Sequence, residues 1–235
     1  MWLIPFGCRL FQPAAHESAS YAKEDSGNLR TMGKMLPFFI VYMASVMVPT
    51  SIGAYGYRRL KFEMKLLLAL MVITIVVEGI TYYLAVEQRN TNWVHHIYLP
   101  VEYGLIGIIF SRWQKTMFSR NVILFSIPLF VIACVMSVIV FNNLDQLNVF
   151  TTSLSCILYA IISSYTLYQL QKDDSGSLYK DCRFWVSSAL LLYSAGALSF
   201  FAFTKLFPNI WYAHVAVNIV VYITFAVGFL CHIRR

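Results

Sequence analysis

Charge is scarce in this sequence. Only 12% of its 235 residues are Asp, Glu, Lys or Arg, about half the roughly 25% usual in soluble globular domains. That scarcity excludes an ordinary soluble fold. Cysteines are few and scattered. Cys8, Cys134, Cys156, Cys182 and Cys231 form no C-x-x-C pair and no zinc-ligand spacing, so neither a dithiol redox motif nor a zinc finger is written here. Aspartate is missing from the long apolar runs: Asp25, Asp145, Asp173, Asp174 and Asp181 all lie outside them. No N-x-S/T glycosylation acceptor occurs, which suits a bacterial protein. The alternating segments of about ten residues that mark a membrane β-barrel are absent too.

What is present is apolar and continuous. Hydrophobic residues make up 59% of the chain. Seven runs approach the roughly 20 residues that a membrane-spanning helix needs. They are Met35–Tyr55, Phe62–Val86, Val94–Phe110, Asn121–Phe141, Val149–Leu170, Phe184–Phe203 and Ile210–His232. Pro49 and Pro128 are expected kinks, and Pro208 suits the start of the last run. Cys134 and Cys156 fall inside runs and read as small buried hydrophobes. The pattern predicts an all-α polytopic membrane protein, a seven-helix bundle over residues 35–235. Residues 1–34 are mixed in composition and read as a partly disordered N-terminal tail, and Met32 or Met35 could serve as the natural start.

The net charge of +7 does not point to nucleic acid, because the basic residues sit in short connections where topology explains them. Arg58, Arg59, Lys61 and Lys65 follow run one. Arg112, Lys115 and Arg120 follow run three. Lys172, Lys180 and Arg183 follow run five, and Arg234 and Arg235 end the chain. The opposite connections hold only Arg89 and Lys205. Basic loops stay in the cytoplasm, so the C-terminus is expected inside and the N-terminus outside, against the pull of Arg9, Lys23, Arg30 and Lys34 in the tail. Trp93 and Trp211 then fall at the outer interface and Trp113 and Trp185 at the inner one, as an aromatic belt would.

Polar residues inside the runs are the candidate site, since an ionisable group in a bilayer is costly and marks function by default. The stretch Asn92-Trp93-Val94-His95-His96-Ile97-Tyr98-Leu99-Pro100-Val101-Glu102-Tyr103 is unusually rich in them. Glu78, Glu102 and His214 are expected in the outer half of the membrane, within one or two helical turns of each other in depth. Each has a partner four residues away on its own face: Tyr82 for Glu78, Tyr98 for Glu102 and Asn218 for His214. Pro100 leaves the carbonyl of His96 without its helical donor. Tyr42, Ser45, Thr151, Thr152 and Ser155 lie at similar depth. Structural readings stand beside this one: a buried carboxyl can be a protonated packing partner, and Gly53, Gly56, Gly104, Gly107 and Gly196 are close-packing positions.

Three uses of the set stay open. One is a pocket for a small ligand or lipid headgroup, which makes the chain a binding or sensing module. The second is a metal-dependent membrane hydrolase. Glu78, Glu102 and His214 would hold zinc or iron with an open position for water, and His96 would be a spare ligand or acid–base group. The third is a proton relay coupled to transport. A structural subunit of a larger membrane complex is a further alternative. Membrane lipids are the expected surroundings, and a cytoplasmic protein could meet the basic inner loops.

Familiar seven-helix families fit poorly. The last run has no lysine for a retinal Schiff base. Ser111-Arg112-Trp113 stands where a receptor would carry D-R-Y, and no N-P-x-x-Y ends the chain. Membrane hydrolases of the alkaline ceramidase type need an aspartate within the spans. The stretch Asn92-x-Trp-Val-His-His-Ile-Tyr-x-Pro-Val-Glu-Tyr, with Trp211-Tyr-x-His214, resembles small uncharacterised seven-helix proteins of bacteria of the Bacteroides type. That resemblance implies an inner-membrane location and no particular activity.

Overall fold

The computed structural model describes residues 39–87, 89–141, 149–172, 178–204, 206–207 and 210–234. The tail expected over residues 1–34 lies outside the described residues, as does Lys205. All regular structure among the described residues is helical. Seven helices follow in order: α1 Phe39–Tyr55, α2 Phe62–Val86, α3 Asn92–Trp113, α4 Met117–Phe141, α5 Val149–Lys172, α6 Cys182–Phe203 and α7 Ile210–Ile233. Five of them, α2, α4, α5, α6 and α7, are long and apolar enough to cross a membrane. α3 has the length but carries the polar stretch in its first half.

The helices match the apolar runs, with differences at their ends. α3 gains residues at both ends over the run Val94–Phe110, beginning at Asn92 and closing at Trp113. Backbone groups in a bilayer must be paired within the segment, so the helix continues through polar residues beyond the run. α4 starts four residues before Asn121 for the same reason. Pro100 and Pro128 are both accommodated inside their helices. α6 opens on a cap: the Asp181 carboxylate accepts from the Arg183 backbone N–H at 2.8 Å and pairs with the Arg183 guanidinium at 2.9 Å. An acidic cap satisfies a free N–H at the positive end of the helix dipole.

Successive helices pack on one another from α2 to α7, and α3 also touches α5. α1 meets α2 and α7 through contacts given below. Small residues set the spacing, as they do between helices in lipid. A Cβ on Gly196 of α6 would stand 2.6 Å from Val217 Cγ1 of α7, and one on Gly107 of α3 would stand 2.9 Å from Ile127 Cγ1 of α4. Aromatic rings join α3, α4 and α5: Tyr103 lies 4.2 Å from Phe130 and 5.5 Å from Tyr159, centroid to centroid.

Two contacts fix the register of α2 against α3. Arg112 near the end of α3 pairs with Glu63 at the start of α2 at 3.6 Å. Thr74 Oγ1 lies 2.7 Å from the Tyr98 hydroxyl. The two helices are therefore antiparallel. At the Arg112 end, His232 of α7 accepts from the Lys61 backbone N–H through Nε2 at 3.1 Å, and its Nδ1 lies 3.4 Å from Cys182 Sγ of α6. The starts of α2 and α6 and the ends of α3 and α7 thus share one end of the molecule. Arg58, Arg59, Lys61, Arg112, Lys180, Arg183 and Arg234 gather there; it is the basic end.

The outside of the fold is apolar. α4 leaves Phe118, Phe125 and Ile132 exposed along one face, and Ile161 of α5 and Ile223 of α7 are exposed likewise. Inside, buried polar groups such as Glu78, Glu102 and Asn218 are set among a largely apolar core.

Candidate functional site

Glu78 and Glu102 are buried, at 3% and 1% exposure. Glu78 comes from α2, in line with Thr74 and Thr81. Glu102 comes from α3, in line with His95 and Tyr98 at helical spacings of seven and four. Residues at those spacings share one face of a helix. α7 contributes a third stripe, His214, Asn218 and Tyr222, four residues apart each time and all buried.

The Tyr42 hydroxyl of α1 donates to Glu78 Oε1 at 3.0 Å and lies 3.1 Å from the Tyr222 hydroxyl. Three helices are joined at one carboxyl. The Tyr42 and Tyr222 rings also meet edge to face, 5.7 Å apart. Thr74, one turn from Glu78, holds the Tyr98 hydroxyl, which binds α2 to α3 one turn from Glu102. Glu102 interacts electrostatically with Tyr98, Tyr159, Tyr193 and Tyr222. Tyr98 and Tyr222 stand within electrostatic reach of both carboxyls. Five buried tyrosines, each at most 4% exposed, thus surround the two glutamates: Tyr42 beside Glu78, Tyr159 and Tyr193 toward Glu102, and Tyr98 and Tyr222 toward both. They are drawn from α1, α3, α5, α6 and α7.

The sequence-derived candidates divide. Glu78, Glu102 and Tyr98 are brought together. Tyr82, expected beside Glu78, is half-buried, and its ring stacks on Phe39 of α1 at 4.5 Å. His214 and Asn218 bond each other, Asn218 Nδ2 to His214 Nε2, at 3.2 Å. His214 also lies against the Phe200 ring of α6 at 4.9 Å. This pair occupies the part of α7 that leads down to Tyr222, away from the basic end. Of the adjacent histidines, His95 is turned inward at 7% exposure; His96, the one taken from the sequence, is half-buried. Thr151, Thr152 and Ser155 are buried on α5, and Ser45 is buried on α1.

Among the described residues no three of His, Cys, Asp and Glu stand close enough to hold a metal ion. Glu78, Glu102, His214 and His96 therefore do not form a metal-binding group. Glu78 is instead held by a hydrogen bond from a phenol, Tyr42.

Sequence reasoning missed Thr74, Tyr159, Tyr193 and Tyr222. A signal was available for the tyrosines. Interfacial tyrosines sit at the ends of membrane helices, whereas these three fall near the middle of apolar runs, where a phenol needs a buried partner.

Comparison with known protein families, with curated proteins and with solved structures finds no match. The site's reading rests on its geometry.

Proposed function

We propose that the chain is a seven-helix transmembrane bundle of a bacterial inner membrane, with its basic end in the cytoplasm, and that it works as a binding or sensing module. The positive-inside rule supports the orientation. The ligand would be a small amphipathic molecule or lipid headgroup, entering from the end opposite the basic one. It would exchange hydrogen bonds with Glu78, Glu102 and the tyrosines around them, with His214 and Asn218 along its way in. The basic end would then meet a cytoplasmic protein.

One observation carries this reading: the link from Tyr42 to Glu78 and Tyr222, which closes three helices on a buried carboxyl. Packing alone would be served more cheaply by apolar residues, because a polar group in hydrocarbon is costly unless paired. A ligand that replaces one of these bonds would shift α1 against α2 and α7, which is what a sensor needs.

Native mass spectrometry of the protein extracted from its own membrane tests the proposal. The wild type is expected to carry one tightly held adduct that both Glu78→Gln and Glu102→Gln lose. Identical adducts on all three proteins would overturn it.

A further inference from the structure

A second polar line runs through the half of the fold that faces the basic end, and apart from Tyr159 the ligand reading makes no use of it. On α5, Tyr159, Ser163 and Thr166 stand at spacings of four and three, on one inward face, at 1%, 0% and 2% exposure. Ser187 of α6 is fully buried as well. It lies five residues from the start of α6, a depth comparable to that of Thr166 near the end of α5. Gln114, just past α3 at the basic end, donates from Nε2 to Thr166 Oγ1 at 3.1 Å.

Several of these groups have no hydrogen-bond partner among the described residues. They are the Tyr159 hydroxyl, Ser163 Oγ, Ser187 Oγ and Gln114 Oε1. The same holds for Thr81 Oγ1 of α2 and Asn218 Oδ1 of α7. Thr74, Ser111, Ser126, Ser155, Thr166 and Ser194 all turn their hydroxyls back onto a carbonyl of their own helix, the usual resting state of such residues. Ser163 and Ser187 do not. Buried polar atoms are almost always satisfied by protein or by ordered water, and a buried water needs two to four polar partners. From Thr166 to Tyr159 the helix rises about 10 Å, with a polar oxygen at each turn. Beyond Tyr159 comes Glu102, with which it interacts electrostatically, across the contact between α3 and α5.

We infer that internal water fills this line and gives Glu102 proton exchange with the aqueous phase at the basic end, through Gln114, Thr166, Ser187, Ser163 and Tyr159. The step is simple in its balance. A hydronium proton from bulk passes along hydrogen bonds, and a water-borne proton forms an O–H bond with one Glu102 oxygen. The reverse transfer returns it, and no other bond changes. The line needs no ligand, so its test is independent of the binding reading.

Silver ion, about as small as water, tests the water. In protein whose native cysteines are replaced and which is reconstituted in vesicles, Ser163→Cys and Ser187→Cys should be blocked by silver at least about tenfold faster than Ala189→Cys and Ile161→Cys, because a thiol reacts as thiolate and thiolate needs water. Ala189 is buried in the interior and Ile161 faces outward. The readout is protection from maleimide after denaturation, and serine-to-cysteine changes keep the volume. Equal rates at all four positions would overturn the inference. Infrared spectroscopy tests the proton. The carboxyl band lost in Glu102→Gln should shift rapidly on transfer from H2O to D2O, and Ser163→Leu should slow that shift at least about tenfold, since an apolar side chain removes a water's partners. No exchangeable Glu102 band, or no slowing, would overturn the proton assignment.

Discussion

The Tyr42 hydroxyl touches two partners on two other helices, so its removal is felt in both. Tyr42→Phe keeps the ring and its edge contact with Tyr222 but takes away the donor to Glu78. Interhelical hydrogen bonds in membranes average about 0.6 kcal/mol and reach about 1.7 kcal/mol. Two bonds are lost here and a buried carboxyl oxygen is left poorer, so a loss of about 1–2 kcal/mol is expected. Reversible unfolding in bicelles measures it. A double-mutant cycle with Glu78→Gln should show coupling, since the two residues share one bond. Additive losses would mean that the Tyr42 hydroxyl contributes nothing through Glu78. The same scale shows what the sequence disclosed. Glu78 and Glu102 stood out because carboxyls are rare in apolar runs. His95 could have been chosen over His96 by phase alone: it is three residues from Tyr98 and seven from Glu102, whereas His96 sits about 100° round the helix. Tyr222 and Tyr159 could not be paired with their partners, because those pairings depend on which helices become neighbours.

Helices as units were legible because apolar length and membrane thickness decide them. Their ends were less so. α3 runs on through Ser111, Arg112 and Trp113 because Arg112 has Glu63 and the Phe62 ring to rest on, the latter at 4.5 Å, and an isolated reading of the run cannot see α2. The pairing of α6 with α7 depends on a missing side chain. A Cβ at Gly196 would press on Val217, and neither residue lies at the tip of a flexible chain that could swing away. Gly196→Ala should therefore destabilise the protein by about 1–3 kcal/mol, the usual cost of overpacking. Gly196→Ala combined with Val217→Ala should recover most of that loss, because the second change removes the atoms that clash. Unfolding midpoints of the three variants check both statements. A single variant as stable as wild type would show that α6 and α7 can separate freely at this level. Arg112→Gln, by contrast, should change stability by less than about 1 kcal/mol, since the Arg112 side chain is about half exposed (46%) and exposed ion pairs contribute little.

On the scale of the whole molecule, the distribution of charge and the distribution of buried hydroxyls point the same way. The basic side chains collect where α2 and α6 begin and α3 and α7 end, and the line of buried oxygens on α5 opens toward that same end through Gln114. The carboxyl–tyrosine cluster lies deeper, and the His214–Asn218 pair lies beyond it toward the other end. A molecule built this way has different chemistry at its two faces, so its orientation determines what each half can do. Tyr179 is exposed at the basic end and Leu206 at the opposite end, which makes both suitable for single cysteines in a cysteine-free protein. In spheroplasts, a membrane-impermeant maleimide should label Leu206→Cys directly and Tyr179→Cys only after the membrane is opened. That outcome follows from the cost of moving several Lys and Arg across a bilayer during insertion. The reverse labelling would place the basic end outside, and the water line to Glu102 would then draw its protons from the extracytoplasmic side. In either case, silver added to one face of oriented vesicles should reach Ser163→Cys only from the face on which Tyr179→Cys is labelled.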